Sequence, residues 1–238
     1  MNKIIEITGL GFSYEEEALL DGLSLTVEKQ QFVAITGANG VGKSTLFRLL
    51  LGQLKPTTGD ITLFGKSGAG TDSLRRIAYI SQHAVQGYRY FPTTIEEVVR
   101  VHLRRLKKKA DVAALLSQVG LREHAAKTLR ELSGGQLQRV GLLLALLKDA
   151  ELILLDEPAT GIDIVFVKEM YRLLQELTKA GKTIVMVTHH LEAALPFIDS
   201  HIEIRDGRAY CLSLESAKPN MTTAATVTAV TRREGEVV

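Results

Sequence analysis

Sulfur, net charge and uninterrupted hydrocarbon are all scarce in these 238 residues, and each shortage removes a class of protein. The single cysteine, Cys211, has no partner for an internal disulfide and fits a reducing compartment. Lys and Arg exceed Asp and Glu by only 29 to 27, a formal charge of +2 that does not point to nucleic acid. No apolar stretch approaches the roughly 18 residues of a membrane span. Met1 to Ile7 leads straight into a strand-like Lys-Ile-Ile-Glu-Ile, without a secretory pattern. If the chain acts at a membrane, other subunits cross it. No internal repeat is visible. With 45% hydrophobic and 24% charged residues, the chain suits one sizeable core divided into lobes, a soluble intracellular module with too few residues for a second domain.

Chemistry concentrates in three segments. Gly37-Ala38-Asn39-Gly40-Val41-Gly42-Lys43-Ser44 fits a phosphate loop, whose glycines let backbone N–H groups curl around phosphates while the lysine reaches the β- and γ-phosphates. By composition such a string recurs in roughly one chain of this length in a hundred, so its flanks matter. Phe32 to Thr36 reads as a buried strand, and Ser44 to Leu51 as a helix whose N-terminus faces the loop. Leu152-Ile153-Leu154-Leu155-Asp156-Glu157 is an apolar run ending in two acids. Such a pair more often marks a solvated turn, but beside a phosphate loop the aspartate can hold Mg²⁺ against bound phosphates. Between them, Leu132-Ser133-Gly134-Gly135-Gln136 precedes the apolar stripe Leu137, Val140, Leu144, Leu147. Taken alone it is a helix cap; it also exposes N–H groups as an anion site.

The pattern along the chain predicts an α/β fold: a phosphate-loop core with a mostly parallel sheet, an antiparallel β subdomain and an inserted helical lobe. Strands are expected at Lys3 to Thr8, Leu23 to Val27, Gln31 to Thr36, Gly59 to Leu63 and Ile77 to Ile80. Residues 1–83 and 150–212 form the core, and 84–149 the lobe. There Thr94-Ile95-Glu96-Glu97 is a capping box and Ile95, Val98, Val99, Leu103 and Leu106 make one apolar face. Beyond Glu151 follow a strand to Leu155, a helix from Ile164 to Thr178, a strand from Thr183 to Val187, and a strand pair near His201 to Ile204 and Arg208 to Cys211. The tail, 213–238, reads as loosely ordered.

The Leu132 to Gln136 segment resembles the signature motif of the ABC-type ATPases, and the other two segments stand in that family's order from about Ile4 to Tyr210. The resemblance implies ATP and Mg²⁺ as cofactors and assigns roles. Gly37 to Ser44 and Thr45 hold the phosphates, Tyr14 stacks on adenine, and Ser44, Gln82 and Asp156 serve the metal. Glu157 polarises the attacking water, His189 bonds the γ-phosphate, and Lys43 and Gln82 complete the catalytic set. Ser133, Gly134, Gly135, Gln136 and Asp163 would meet nucleotide across a homodimer interface. Two departures stand out. His190 follows the switch histidine where an acid is usual, and Gln30-Gln31 replaces Gly-Glu, so that turn must form without glycine's freedom at positive φ.

The resemblance further implies permease subunits, an indirect substrate-binding protein and a place on the cytoplasmic face of the membrane. The stretch Gly87-Tyr88-Arg89-Tyr90-Phe91-Pro92 through Val99 is similar to one in zinc and manganese importers, so metal import is expected, with Tyr88, Tyr90 and Phe91 either at a permease dock or in the lobe's core. His83, His102, His124, His189, His190 and His201 have no metal-ligand spacing, so the chain would power metal movement without binding the metal. Import of another substrate, and a soluble single-unit ATPase of assembly or repair, remain the alternatives.

Overall fold

A computed structural model describes residues 2–15, 17–81, 87, 90, 92–159 and 164–214. Its smaller sheet is antiparallel. β1 (Lys3–Tyr14) and β2 (Glu17–Glu28) form a hairpin, and β4 (Thr58–Leu63) and β5 (Lys66–Ser67) extend it in the order β2-β1-β4-β5. The hairpin outruns the strands predicted from alternation. Register shifts follow Ile7, Leu10 and Phe12, and each bulge resets which residues face inward, so pairing continues where simple alternation breaks.

The larger sheet runs β10-β9-β3-β8-β7-β6. Here β3 (Phe32–Thr36), β6 (Ile77–Ser81), β7 (Leu152–Asp156), β8 (Thr183–Val187) and β9 (Ser200–Arg205) are mutually parallel, and β10 (Arg208–Leu212) closes one edge antiparallel. Both faces are buried, and the two-residue period sorts them. Val33, Ile35, Leu152, Leu154, Val185 and Val187 pack with the antiparallel sheet and α1 (Lys43–Leu50). Phe32, Ala34, Ile153, Leu155, Ile184 and Met186 pack with the helices of the opposite side.

Those helices are α3 (Ile95–Arg105), α4 (Val112–Gln118), α5 (Gly134–Leu147) and α6 (Ile164–Lys179); α2 (Thr71–Arg75) precedes β6, and α7 (Leu191–Ala194) follows β8. The capping box at Thr94 forms as expected: the Glu97 N–H donates to Thr94 Oγ1 at 3.3 Å and the Thr94 N–H to Glu97 Oε2 at 2.9 Å. Ile95, Val99 and Leu103 are buried, with Val98 and Leu106 half-buried beside them.

The turn before β3 resolves the missing glycine directly. Gln30 itself adopts φ +61°, a left-handed conformation that disfavours a side chain. Its N–H donates to Thr183 Oγ1 at 3.0 Å, and the Gln31 amide oxygen accepts from Glu28 N–H at 2.9 Å, which holds the strained turn closed. Because the strands are parallel, the segments after β3, β6, β7 and β8 all emerge at one edge of the sheet, where ligands bind in open α/β folds.

Candidate nucleotide site

The loop leaving β3 is shaped by backbone alone. A Cβ at Gly37 would lie 2.3 Å from the Ile204 carbonyl oxygen, so only glycine lets the chain pass this close to β9. At Gly42 (φ +104°) the backbone is left-handed, and this residue caps α1 without any side-chain acceptor. The first amides of α1 therefore stay available to an anion. Ala38, Asn39 and Gly40 are exposed along the rim, and Val41 N–H closes the turn on the Ala38 carbonyl at 3.4 Å.

Lys43 is buried within this loop. Its ammonium donates to the Gly37 and Ala38 carbonyls at 2.9 and 2.8 Å. Burial lowers its pKa, and the nearby carboxylates of Glu157 and Asp156 oppose that shift. Asp156 ends β7 and is also buried. Desolvation raises its pKa, while hydrogen bonds from Ser44 and from Tyr79, whose hydroxyl lies 3.3 Å from Oδ2, act the other way. Ser44, in the first turn of α1, and Asp156, at the end of β7, thus meet directly.

Glu157 follows in a left-handed conformation, φ +50°, and its N–H donates to Val187 O at 3.0 Å. This bend turns the carboxylate away from the Asp156 direction and onto His189, whose Nε2 lies 2.8 Å from Glu157 Oε1. His189 therefore faces Glu157. His190 instead precedes α7, and its N–H donates to Thr188 Oγ1 at 3.0 Å.

Tyr14 reaches the same end of α1. Its hydroxyl accepts from Arg48 at 3.0 Å and lies 3.5 Å from Thr45 Oγ1. Its ring meets Phe12 edge-on at 4.8 Å, with 44% of the residue exposed. Ser133 is a true helix cap: Gln136 N–H donates to Ser133 Oγ at 3.2 Å, and Ser133 N–H to Gln136 Oε1 at 3.0 Å. Gly134 and Gly135 supply the first-turn amides that this box does not cover. The structure therefore brings Lys43, Ser44, Asp156, Glu157 and His189 together, with Tyr14 and Thr45 on the flank, whereas Ser133 to Gln136 form their own cap at the start of α5. Gln82 and Asp163 lie outside the described residues.

Two supports were not read from the sequence. Tyr79, under Asp156, has its hydroxyl pKa pushed up to about 12 by burial first and the Asp156 charge second. His201 is buried on β9 with Nε2 2.7 Å from Thr36 Oγ1, the residue just before Gly37, and its Nδ1 has no partner among the described residues. Spacing gave no signal for a contact that spans 165 positions. Burial lowers the His201 pKa, against a smaller opposing effect of Glu203. The unfolded chain then takes up a proton that the folded chain refuses, so this site's stability is full above about pH 6.5 and is lost as pH falls below it. Melting temperature should accordingly fall more steeply from pH 7 to pH 5 in the parent than in His201→Asn. Parallel melting curves would contradict the burial cost.

Residues 20–160 match the family model described as ABC transporter. The chain is 36% identical over 225 residues to the zinc uptake system ATP-binding protein ZurA of Listeria innocua, covering 88% of each. It is 36% identical over 204 residues to the manganese transport system ATP-binding protein MntB of Bacillus subtilis, covering 82% of this chain and 80% of that one. Among solved structures, cbiO1 from Clostridium perfringens, titled as part of the ABC transporter complex cbiONQ, matches with a TM-score of 0.76 at 26% identity over 88% of this chain and 87% of that one.

Proposed function

The chain belongs to the ABC transporter family, and we propose that within it the protein powers an importer of zinc or manganese. It is an ATP-binding and ATP-hydrolysing transporter subunit. The observation that carries this reading is the convergence of Lys43, Ser44, Asp156, Glu157 and His189 at one sheet edge. The metal cargo is supported by the zinc and manganese systems of its relatives.

In the proposed roles, Lys43 and the loop amides hold the β- and γ-phosphates and Tyr14 packs on adenine. Ser44 and Asp156 fit Mg²⁺, because they offer hard oxygen atoms and one carboxylate. No group of three or more His, Cys, Asp or Glu that would hold a metal by itself occurs among the described residues, and Mg²⁺ is commonly completed by substrate phosphates. When bound it would supply positive charge beside the phosphates. Glu157 accepts a proton from the attacking water, with His189 fixing the carboxylate's direction. Gln82 is assigned beside the metal and Asp163 to the dimer seam. Two copies would pair so that Ser133 to Gln136 of one close over the phosphate loop of the other. The division into a core of 1–83 and 150–212, a lobe of 84–149 and a tail belongs to the same proposal.

Importer ATPases of this family work with membrane permeases and substrate-binding proteins. No helix among the described residues is long and apolar enough to cross a membrane, in keeping with a subunit docked on the cytoplasmic face. A groove of about 340 Å³ opens along edge strand β6, between α3 and α5, with Ala78, Ile80 and Leu144 in its lining and His102, Arg105 and Lys148 contributing basic groups. We assign the permease dock to this groove and to Tyr90, which is 88% exposed and so is not part of the lobe's core. Tyr88 and Phe91 lie outside the described residues. Tyr90→Ala should lower transport more than it lowers basal hydrolysis by the isolated subunit. In a reconstituted complex with the matching binding protein, zinc or manganese should stimulate hydrolysis. Stimulation by an organic solute, with no response to either metal, would overturn the cargo assignment.

A further inference from the structure

More positive charge gathers at the end of α3 than the fold uses. Arg100, Arg104, Arg105, Lys107, Lys108 and Lys109 are all exposed. Arg100 is held by Glu96 one turn back, and Lys108 donates to the Leu147 carbonyl at 3.0 Å, capping the end of α5. Arg104, Arg105, Lys107 and Lys109 have no ion pair or side-chain hydrogen bond among the described residues. The helix dipole accounts for cations in the last turn, at Arg104 and Arg105, but not for those beyond it.

The backbone keeps one of these cations at a cost. Lys107 has φ +54°, in the closing turn where Lys107 N–H donates to Arg104 O at 3.1 Å and Lys108 N–H to Leu103 O at 2.9 Å. Glycine is the unstrained residue there. On the helix itself, Ile95, Val99 and Leu103 point inward, so Arg100, Arg104 and Arg105 point out, with Val101 54% exposed among them. The patch also borders the groove along β6, because Arg105 lines both.

On the transport reading, this patch lies on the side of the subunit that meets a membrane-embedded partner. Unpaired cations around one exposed apolar side chain suit such a surface. We propose that Arg104, Arg105, Lys107 and Lys109 form a docking patch for anionic phospholipid headgroups. The proposal rests on the transport reading for the position of the groove, and its test uses neither permease nor cargo.

The purified full chain is sedimented with vesicles of phosphatidylcholine or of phosphatidylglycerol. Binding is expected to the anionic vesicles alone and should be lost at high salt. With each cation worth about fivefold in partitioning, replacing the four together by Gln should weaken binding roughly 600-fold. A second variant, Lys55→Gln, Arg75→Gln, Lys168→Gln and Arg172→Gln, removes the same charge from exposed sites elsewhere and should keep the binding. Equal loss in both variants, or no preference for anionic vesicles, would overturn the patch. Either result leaves the metal-stimulated ATPase test unaffected.

Discussion

Glu157→Gln should still bind ATP but turn it over more slowly by a factor on the order of 10² to 10⁴. The amide preserves the side chain's shape and can keep an oxygen toward His189, 2.8 Å away in the parent, while losing the basicity needed to take a proton from water. The left-handed backbone at Glu157 is tied to Val187 O and does not depend on the carboxylate, so the fold should survive. If two copies close around ATP, the variant should accumulate as an ATP-bound dimer, visible by size-exclusion chromatography. Near-normal steady-state hydrolysis would remove Glu157 from its role and leave His189 as the residue to examine.

Lys43→Ala should act one step earlier, on binding. Its ammonium spans the Gly37 and Ala38 carbonyls, so the substitution removes both a phosphate partner and a brace of the loop. A charge-assisted contact of this kind is worth about 1.5–3 kcal/mol, so ATP affinity should fall roughly 10- to 10²-fold in a titration. Unchanged affinity would contradict the assignment. The same variant also tests the dimer. Ser133→Asp retains a helix-capping side chain, so it should fold, yet it sets a negative charge where γ-phosphate is expected. Each variant alone should be inactive. Mixed together, they form heterodimers with one site free of both defects, and partial activity should return. Rescue in neither the isolated protein nor the assembled transporter would argue that the signature segment acts within its own subunit.

The segments that carry the chemistry were legible because each depends on its own few residues. A phosphate loop needs its glycines and lysine in fixed order, the Thr94 and Ser133 boxes close over three residues, and strands buried on both faces announce themselves as apolar runs. Boundaries suffered where tertiary pairing overrode local pattern, as in the long hairpin of β1 and β2 with its repeated bulges. The Gln30 turn is the opposite case. Glycine's absence was visible in the sequence, but the compensation, a hydrogen bond to Thr183 on another strand, was not.

The order of motifs along the chain therefore determined the family and the ATP chemistry, and it named the residues proposed to perform it. Only the tertiary structure decided which of these residues meet. Placing β8 between β3 and β7 set His189 against Glu157, placing β6 beside β7 put Tyr79 under Asp156, and placing β9 beside β3 put His201 behind the phosphate loop. Backbone turns and helix caps follow from steric and hydrogen-bonding rules among near neighbours. The order of strands in a sheet follows from how two buried faces are covered at once, and no local stretch of sequence contains that information.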